Sequence, residues 1–205
     1  TPLQKNAFLS EKYHADIRLK REDLTPVRSY KLRGAANFFR KALAGGGGGG
    51  EFVWASAGNH AQGFAYVAAH EGVTGTVFMP TTTPKQKINK TKTFGGDAIN
   101  IRLVGDTFDQ SNRAAIEFAQ GTGAVFVPPF DHPDIIEGQA SVGLEILAQM
   151  DTPPDLLVLP VGGGGLAAGV AAWALLVIAW AALRGRRRDG GLRGALGDLA
   201  RAPSH

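Results

Sequence analysis

The residue best suited to covalent chemistry in this chain is a lysine at the start of a helix, in Ser29-Tyr30-Lys31-Leu32-Arg33-Gly34. Leu32, Ala35, Ala36, Phe39, Ala42 and Leu43 recur at helical spacing and predict one buried face. Ser29 stands where an N-cap belongs, which places Lys31 in the first turn among N–H groups without intrahelical partners. The positive end of the helix dipole disfavours an ammonium there and favours a neutral, nucleophilic amine. Such lysines form Schiff bases with carbonyl compounds. A surface lysine that opens a helix has the same local signature, so this stretch alone leaves both readings open.

Two further stretches could bind anions. Ser56-Ala57-Gly58-Asn59-His60 follows an apolar run at Phe52–Ala55 and precedes a helical pattern from Ala61 to Glu71. Pro160-Val161-Gly162-Gly163-Gly164-Gly165 follows Leu156-Leu157-Val158-Leu159 and precedes a helix from Leu166. A strand, a glycine loop and a helix N-terminus make a phosphate cradle of bare N–H groups with a favourable dipole. A tight turn is the alternative, although four glycines exceed what a turn needs.

The elements that position these stretches alternate regularly. Strands are expected at Asp16–Lys20, Phe52–Ala55, Thr74–Met79, Ala98–Val104, Ala124–Val127 and Leu156–Leu159, the last buried on both faces by its unbroken apolar run. Helices are expected after Ser29, at Ala61–Glu71, from Pro84 to Gly95, at Phe108–Gln120, at Pro133–Met150 and from Leu166. This alternation predicts an α/β fold with doubly wound, mainly parallel sheets, which bind ligands at the carboxyl ends of their strands. Gly45–Gly50 reads as a low-complexity linker. Leu166–Leu183 carries no charge and meets the minimum length of a membrane span, with a buried helix as the expected alternative.

Composition narrows the classes. With 205 residues and 44% hydrophobic content the chain can build a core. It has no cysteine, hence neither a disulfide framework nor a cysteine-ligated metal, and no metal is expected. Residues 1–173 hold 16 basic and 16 acidic residues, so the +4 net charge arises wholly from the arginine-rich tail. The body therefore lacks the basic surface of a nucleic-acid binder. The chain opens at Thr1 without a secretory pattern, and a cytoplasmic location is expected.

The strings K-R-E-D-L at 20–24, S-Y-K-L-R-G-A at 29–35, S-A-G-N-H-A-Q-G at 56–63, F-G-G at 94–96, V-P-P-F-D-H-P at 127–133 and P-V-G-G-G-G-L-A-A-G at 160–169 occur together and in order. On these the chain resembles the threonine dehydratases (threonine ammonia-lyases) among the fold-type II pyridoxal-phosphate enzymes, over roughly residues 1–173. The resemblance implies two doubly wound parallel-sheet domains of the tryptophan synthase β-like architecture, the larger one incomplete. Residues 1–40 and 141–173 would belong to that large domain, 41–140 to a small α/β domain, and 174–205 to a divergent tail.

The resemblance also implies roles. Lys31 would hold pyridoxal phosphate and act as the base at the substrate Cα. Gly162, Gly163, Gly164 and Gly165 would cradle the phosphate, and Asn59 would hydrogen-bond the ring hydroxyl. Ser56, Ala57, Gly58, Asn59 and His60 would receive the substrate carboxylate, with His60 equally readable as a structural turn residue. Tyr30, where the family more often has phenylalanine, would pack beside the cofactor ring. The implied reaction converts L-threonine to 2-oxobutanoate and ammonia, with L-serine as a second substrate, in a homo-oligomer. Serine racemase, threonine synthase and an inactive dehydratase fragment are the alternatives. The arginine- and glycine-rich tail has the composition that a shifted reading frame in GC-rich DNA would give.

Overall fold

A computed structural model describes residues 1–46 and 50–185. Gly47–Gly49 of the glycine run and the tail from residue 186 lie outside the described residues. The chain forms two compact units, Glu22–Gly138 and Thr1–Arg21 together with the chain from Gln139 onward.

The first unit is built on a four-stranded parallel sheet. Its strands are β3 (Phe52–Ala55), β4 (Gly75–Met79), β5 (Ile99–Leu103) and β6 (Val125–Phe126), in the order β5-β4-β3-β6. The register pairs Phe52 with Gly75 and Val125, and Gly75 with Ile99. Side chains alternate across the central strand β3. Phe52 and Trp54 enter one apolar cluster with residues of α2 (Lys31–Ala44) and α3 (Asn59–Glu71). Val53 and Ala55 face the opposite way, onto Ala115 and Ala119 of α5 (Phe108–Thr122). The sheet is thus covered on both faces, which is why β3 reads as a continuous apolar run.

The crossover helices end on glycines, α3 at the expected Gly72 but α5 past its expected stop after Gln120, at Gly123. Gly72 and Gly123 close α3 and α5 in the left-handed conformation, at φ 68° and 74°. Thr107 opens α5 with a capping box, its hydroxyl accepting from the Gln110 N–H while the Gln110 side chain returns to the Thr107 N–H. Thr107→Ala should therefore lower stability by about 1 kcal/mol, read as a shift in urea midpoint at constant slope. The remaining crossover, α4 (Lys85–Gly95), has Pro84 at its cap position, one residue earlier than first-turn placement.

The second unit pairs β1 (Leu3–Lys5) with β2 (Arg18–Lys20) in antiparallel fashion. Between them runs α1 (Ala7–Tyr13), capped by the Asn6 carboxamide oxygen, which accepts from the Leu9 N–H at 2.9 Å. This helix is absent from the sequence expectation, because seven residues with a single charged pair carry too little periodicity to be read. Glu145, on α6 (Pro133–Gln149), accepts from the Thr1 amino terminus at 3.2 Å and from Lys20 at 2.5 Å. Farther along, Gly143 lets α6 approach α7 (Gly165–Gly185), since a Cβ there would lie 3.2 Å from Val170 Cγ1.

Three sequence expectations are corrected. Leu156–Leu159 forms no strand; Leu156, Leu157 and Val158 are exposed, Leu156 at 79% and Val158 at 83%, and Leu159 is half-buried. A strand needs a hydrogen-bonding neighbour, and no strand among the described residues pairs with this one. The buried face of α2 consists of Gly34, Ala35, Phe38 and Phe39, so Phe38 replaces the exposed Ala36. The run behind the glycine loop is not buried throughout: Leu166 and Val170 are buried, whereas Leu175 and Leu176 are exposed. Among the described residues no helix is long and apolar enough to cross a membrane.

Candidate cofactor and substrate site

The chain enters α2 through a tightly bonded turn. Thr25 Oγ1 accepts from the Ser29 N–H at 2.8 Å, and Arg28 sits at φ 54°, a left-handed conformation that is rare for a residue with a side chain. Tyr30, not Ser29, occupies the cap position. Ser29 Oγ nevertheless accepts from the Lys31 N–H at 3.2 Å, so the serine serves the first turn from one residue farther out than the sequence suggests. The Glu22 carboxylate binds the Arg33 guanidinium through two bonds of 2.8 Å, which joins the K-R-E-D-L string to the lysine helix.

Lys31 is half-buried, and that burial pushes its amine below the usual lysine range. Its Nζ donates to the Pro129 carbonyl at 3.0 Å and lies 5.6 Å from the centroid of the Tyr30 ring. Among the described residues no carboxylate pairs with it. An amine held this way is closer to its neutral, nucleophilic form than an ion-paired lysine such as Lys41, whose partners Asp134 and Glu137 push it upward.

The Ser56–His60 stretch lies beside this lysine. Gly63 of α3 packs on the start of α2, where a Cβ would meet the Lys31 carbonyl carbon and the Leu32 nitrogen at 3.3 Å. Ser56 leaves β3 with its N–H donating to the Phe78 carbonyl at 3.1 Å, and its hydroxyl accepts from the Gly58 N–H at 3.1 Å. The helix begins at Asn59, two residues earlier than the sequence suggests, so Asn59 and His60 belong to its first turn. Gly58 supplies no side-chain cap, and the first bond back to it comes from Gln62. The N–H groups of Asn59, His60 and Ala61 therefore remain for an anion. Asn59 is exposed, its carboxamide without a partner among the described residues, while Ala57 is half-buried.

His60 is buried to 5% exposure against the Phe64 ring, 4.6 Å between centroids, and neither ring nitrogen has a hydrogen-bond partner. Burial, then the nearby Lys31 charge, drive its pKa down to about 3; the Val127 backbone, outside hydrogen-bond geometry, opposes them. The ring is a neutral polar group kept unpaired in an apolar wall, which fits a ligand better than a turn.

This burial has a consequence for stability. Between pH 6.5 and about 3 the unfolded chain binds a proton at His60 that the folded chain refuses. Stability from this group is complete above pH 6.5 and falls on acidification, by about 1.4 kcal/mol per pH unit. Urea midpoints at pH 7, 6 and 5 should fall less steeply in His60→Phe than in the unsubstituted chain.

In the other unit, the glycine stretch meets the N-terminus of α7. Gly164 adopts φ 82°, where glycine is favoured, and open space surrounds Gly162. Gly165 is the first residue of α7, Gly163 lies in the exposed bend before it, and the first bond back runs from Ala168 N–H to the Gly164 carbonyl at 2.8 Å. The N–H groups of Gly165, Leu166 and Ala167 are left for an anion, as a phosphate cradle requires. The parts of a carbonyl-bearing cofactor with a phosphate each find fitting residues: an amine of lowered basicity and an orphaned buried imidazole in the first unit, and a bare glycine turn in the second. Sequence reasoning missed Pro129, since a backbone carbonyl has no residue signature; only the V-P-P-F-D-H-P string marked its segment.

Comparison with known proteins agrees with this chemistry. Residues 1–182 match the family described as pyridoxal-phosphate dependent enzyme. The chain is 48% identical over 170 residues to the biosynthetic L-threonine dehydratase IlvA of Bacillus subtilis, covering 83% of this chain and 40% of that protein. Among solved structures, processed threonine deaminase isoform 2 from Solanum lycopersicum superposes with a TM-score of 0.77 at 40% identity, over 84% of this chain and 46% of that one. Maize serine racemase superposes with a TM-score of 0.79 at 28% identity, over 86% and 52%. The chain spans about two fifths of the length of the curated relatives it matches. The fold is that of the fold-type II pyridoxal-phosphate enzymes, and by its match over residues 1–182 the chain belongs to the pyridoxal-phosphate dependent enzyme family.

Proposed function

We propose that this chain carries the cofactor lysine of a threonine ammonia-lyase, which converts L-threonine to 2-oxobutanoate and ammonia and acts on L-serine as a second substrate. The observation that carries the reading is the half-buried Lys31 amine beside the free N–H groups of the Ser56–His60 turn. Identity of 48% to biosynthetic threonine dehydratase over two fifths of that protein supports this reaction within the family. In this reading the enzyme serves isoleucine biosynthesis and works in the cytoplasm as a homo-oligomer.

Pyridoxal phosphate supplies the electron sink that accepts charge when the substrate Cα–H bond breaks. Gly162, Gly163, Gly164 and Gly165 would hold the phosphate through backbone N–H groups, and Asn59 would hydrogen-bond the ring hydroxyl. The Ser56 hydroxyl and the N–H groups of Ala57, Asn59 and His60, turned by Gly58, would orient the substrate carboxylate, which fixes which Cα bond faces Lys31. Lys31 would hold the cofactor through its amine and would take the proton from the substrate Cα. Loss of the α-proton to Lys31 and of the β-hydroxyl amounts overall to loss of one water, and hydrolysis of the remaining C–N bond takes up one water and yields the oxo acid and ammonia.

The test is to mix the full chain with pyridoxal phosphate, reduce with borohydride, and map the modified lysine by mass spectrometry. An adduct on Lys31 followed by 2-oxobutanoate formation from threonine is expected. Adducts scattered over Lys85, Lys87, Lys90 and Lys92 would overturn the assignment. The exposed apolar run Leu156–Val161 favours a second reading, a chain that binds the cofactor without turnover. A Lys31 adduct with no 2-oxobutanoate would select it.

A further inference from the structure

The string V-P-P-F-D-H-P has no role in the chemistry above, yet its backbone is pinned at both ends. The Val127 N–H donates to the Val53 carbonyl at 2.8 Å, which ties the start of the segment to β3. At the other end His132 Nδ1 accepts from the Asp134 N–H at 3.2 Å, and its ring stands edge-on to Phe38 at 5.1 Å. Between them Pro128 and Pro129 have fixed φ angles, and Pro128, preceding a proline, is held extended, which leaves the stretch few backbone conformations. The Pro129 carbonyl receives the Lys31 Nζ at 3.0 Å. Tyr30, half-buried at the cap of α2, presents its ring to the same nitrogen at 5.6 Å.

We propose that Tyr30 is a positioning residue for Lys31, its ring face and the Pro129 carbonyl holding the amine from two sides. The proposal rests on the reading of Lys31 as the reactive amine. A carboxylate in either place would fix the group as an ammonium. A carbonyl dipole and a ring quadrupole orient it more weakly and let it deprotonate and leave. The tyrosine therefore acts on the free amine, a role distinct from packing beside a cofactor ring.

The test uses the full chain without cofactor or substrate. Trace acetylation with acetic anhydride across a pH series, quantified for each lysine by mass spectrometry, gives the titration midpoint of Lys31, with exposed Lys85 and Lys92 as internal references. Tyr30→Phe keeps the ring face and should keep the midpoint. Tyr30→Leu removes the face, lowers the midpoint, and makes Lys31 about three- to fivefold more reactive below it. Tyr30→Trp should raise the midpoint. If Tyr30→Leu does not fold, the order of the tryptophan, phenylalanine and unsubstituted chains decides. Equal midpoints throughout overturn the proposal, as does a phenylalanine variant that shifts as far as the leucine one. Failure of the lyase reading would show instead in the borohydride experiment.

Discussion

Lys31→Ala is expected to abolish the borohydride-trapped adduct and to reduce threonine deamination by at least about 10²–10⁴-fold, the contribution of a positioned base alone. The loss should exceed that figure, because the same amine attaches the cofactor. The variant should still fold. Lys31 contributes one hydrogen bond to a backbone carbonyl and no ion pair among the described residues, which is worth about 1 kcal/mol. Lys31→Arg retains the charge but supplies no amine able to condense with a carbonyl, so it should be equally inactive. Lys41→Ala is the opposite control: it removes ion pairs to Asp134 and Glu137 yet should leave the adduct intact. Deamination that survives in Lys31→Ala would remove the lysine from the mechanism.

The sequence carried the core of this site because its signals are local. A lysine at the start of a helix, a Ser-Ala-Gly-Asn-His turn after an apolar strand, and glycines before a helix each signal their backbone conformation in their own residues. The parallel sheet was equally legible, since Gly72 and Gly95-Gly96 punctuate two of its crossovers, although α5 runs past its expected stop after Gln120 and closes at Gly123. What escaped depends on partners remote in the chain. Leu156–Leu159 has the composition of a doubly buried strand, and composition cannot say whether a neighbouring strand is present. Ala36 and Phe38 exchanged places because the buried face of α2 is set by where α3 and the aromatic cluster lie, not by periodicity alone. The Pro129 carbonyl was invisible for a different reason: every residue has one, and only packing aims this one at Lys31.

Gly138→Ala should cost about 2–3 kcal/mol and weaken the cofactor site from a distance. A Cβ at this position of α6 would lie 2.6 Å from the Arg33 carbonyl oxygen and 2.6 Å from the Gly34 Cα. Both atoms are backbone of α2, so no side-chain rotation relieves the contact, and the two helices must part. Alanine gains roughly 1 kcal/mol over glycine in helix propensity, which offsets only part of the overlap. Arg33 cannot yield easily, because Glu22 holds its guanidinium through two 2.8 Å bonds. Displacing the first turn of α2 also shifts Lys31 from the Pro129 carbonyl, on the segment that leads into α6. A lower yield of Lys31 adduct should therefore accompany the lower urea midpoint. Gly121→Ala, where nothing lies within 4 Å of the added Cβ, provides the comparison and should be neutral or stabilising. If Gly138→Ala matches it in both stability and adduct yield, the close approach of α2 and α6 does not set the position of the lysine.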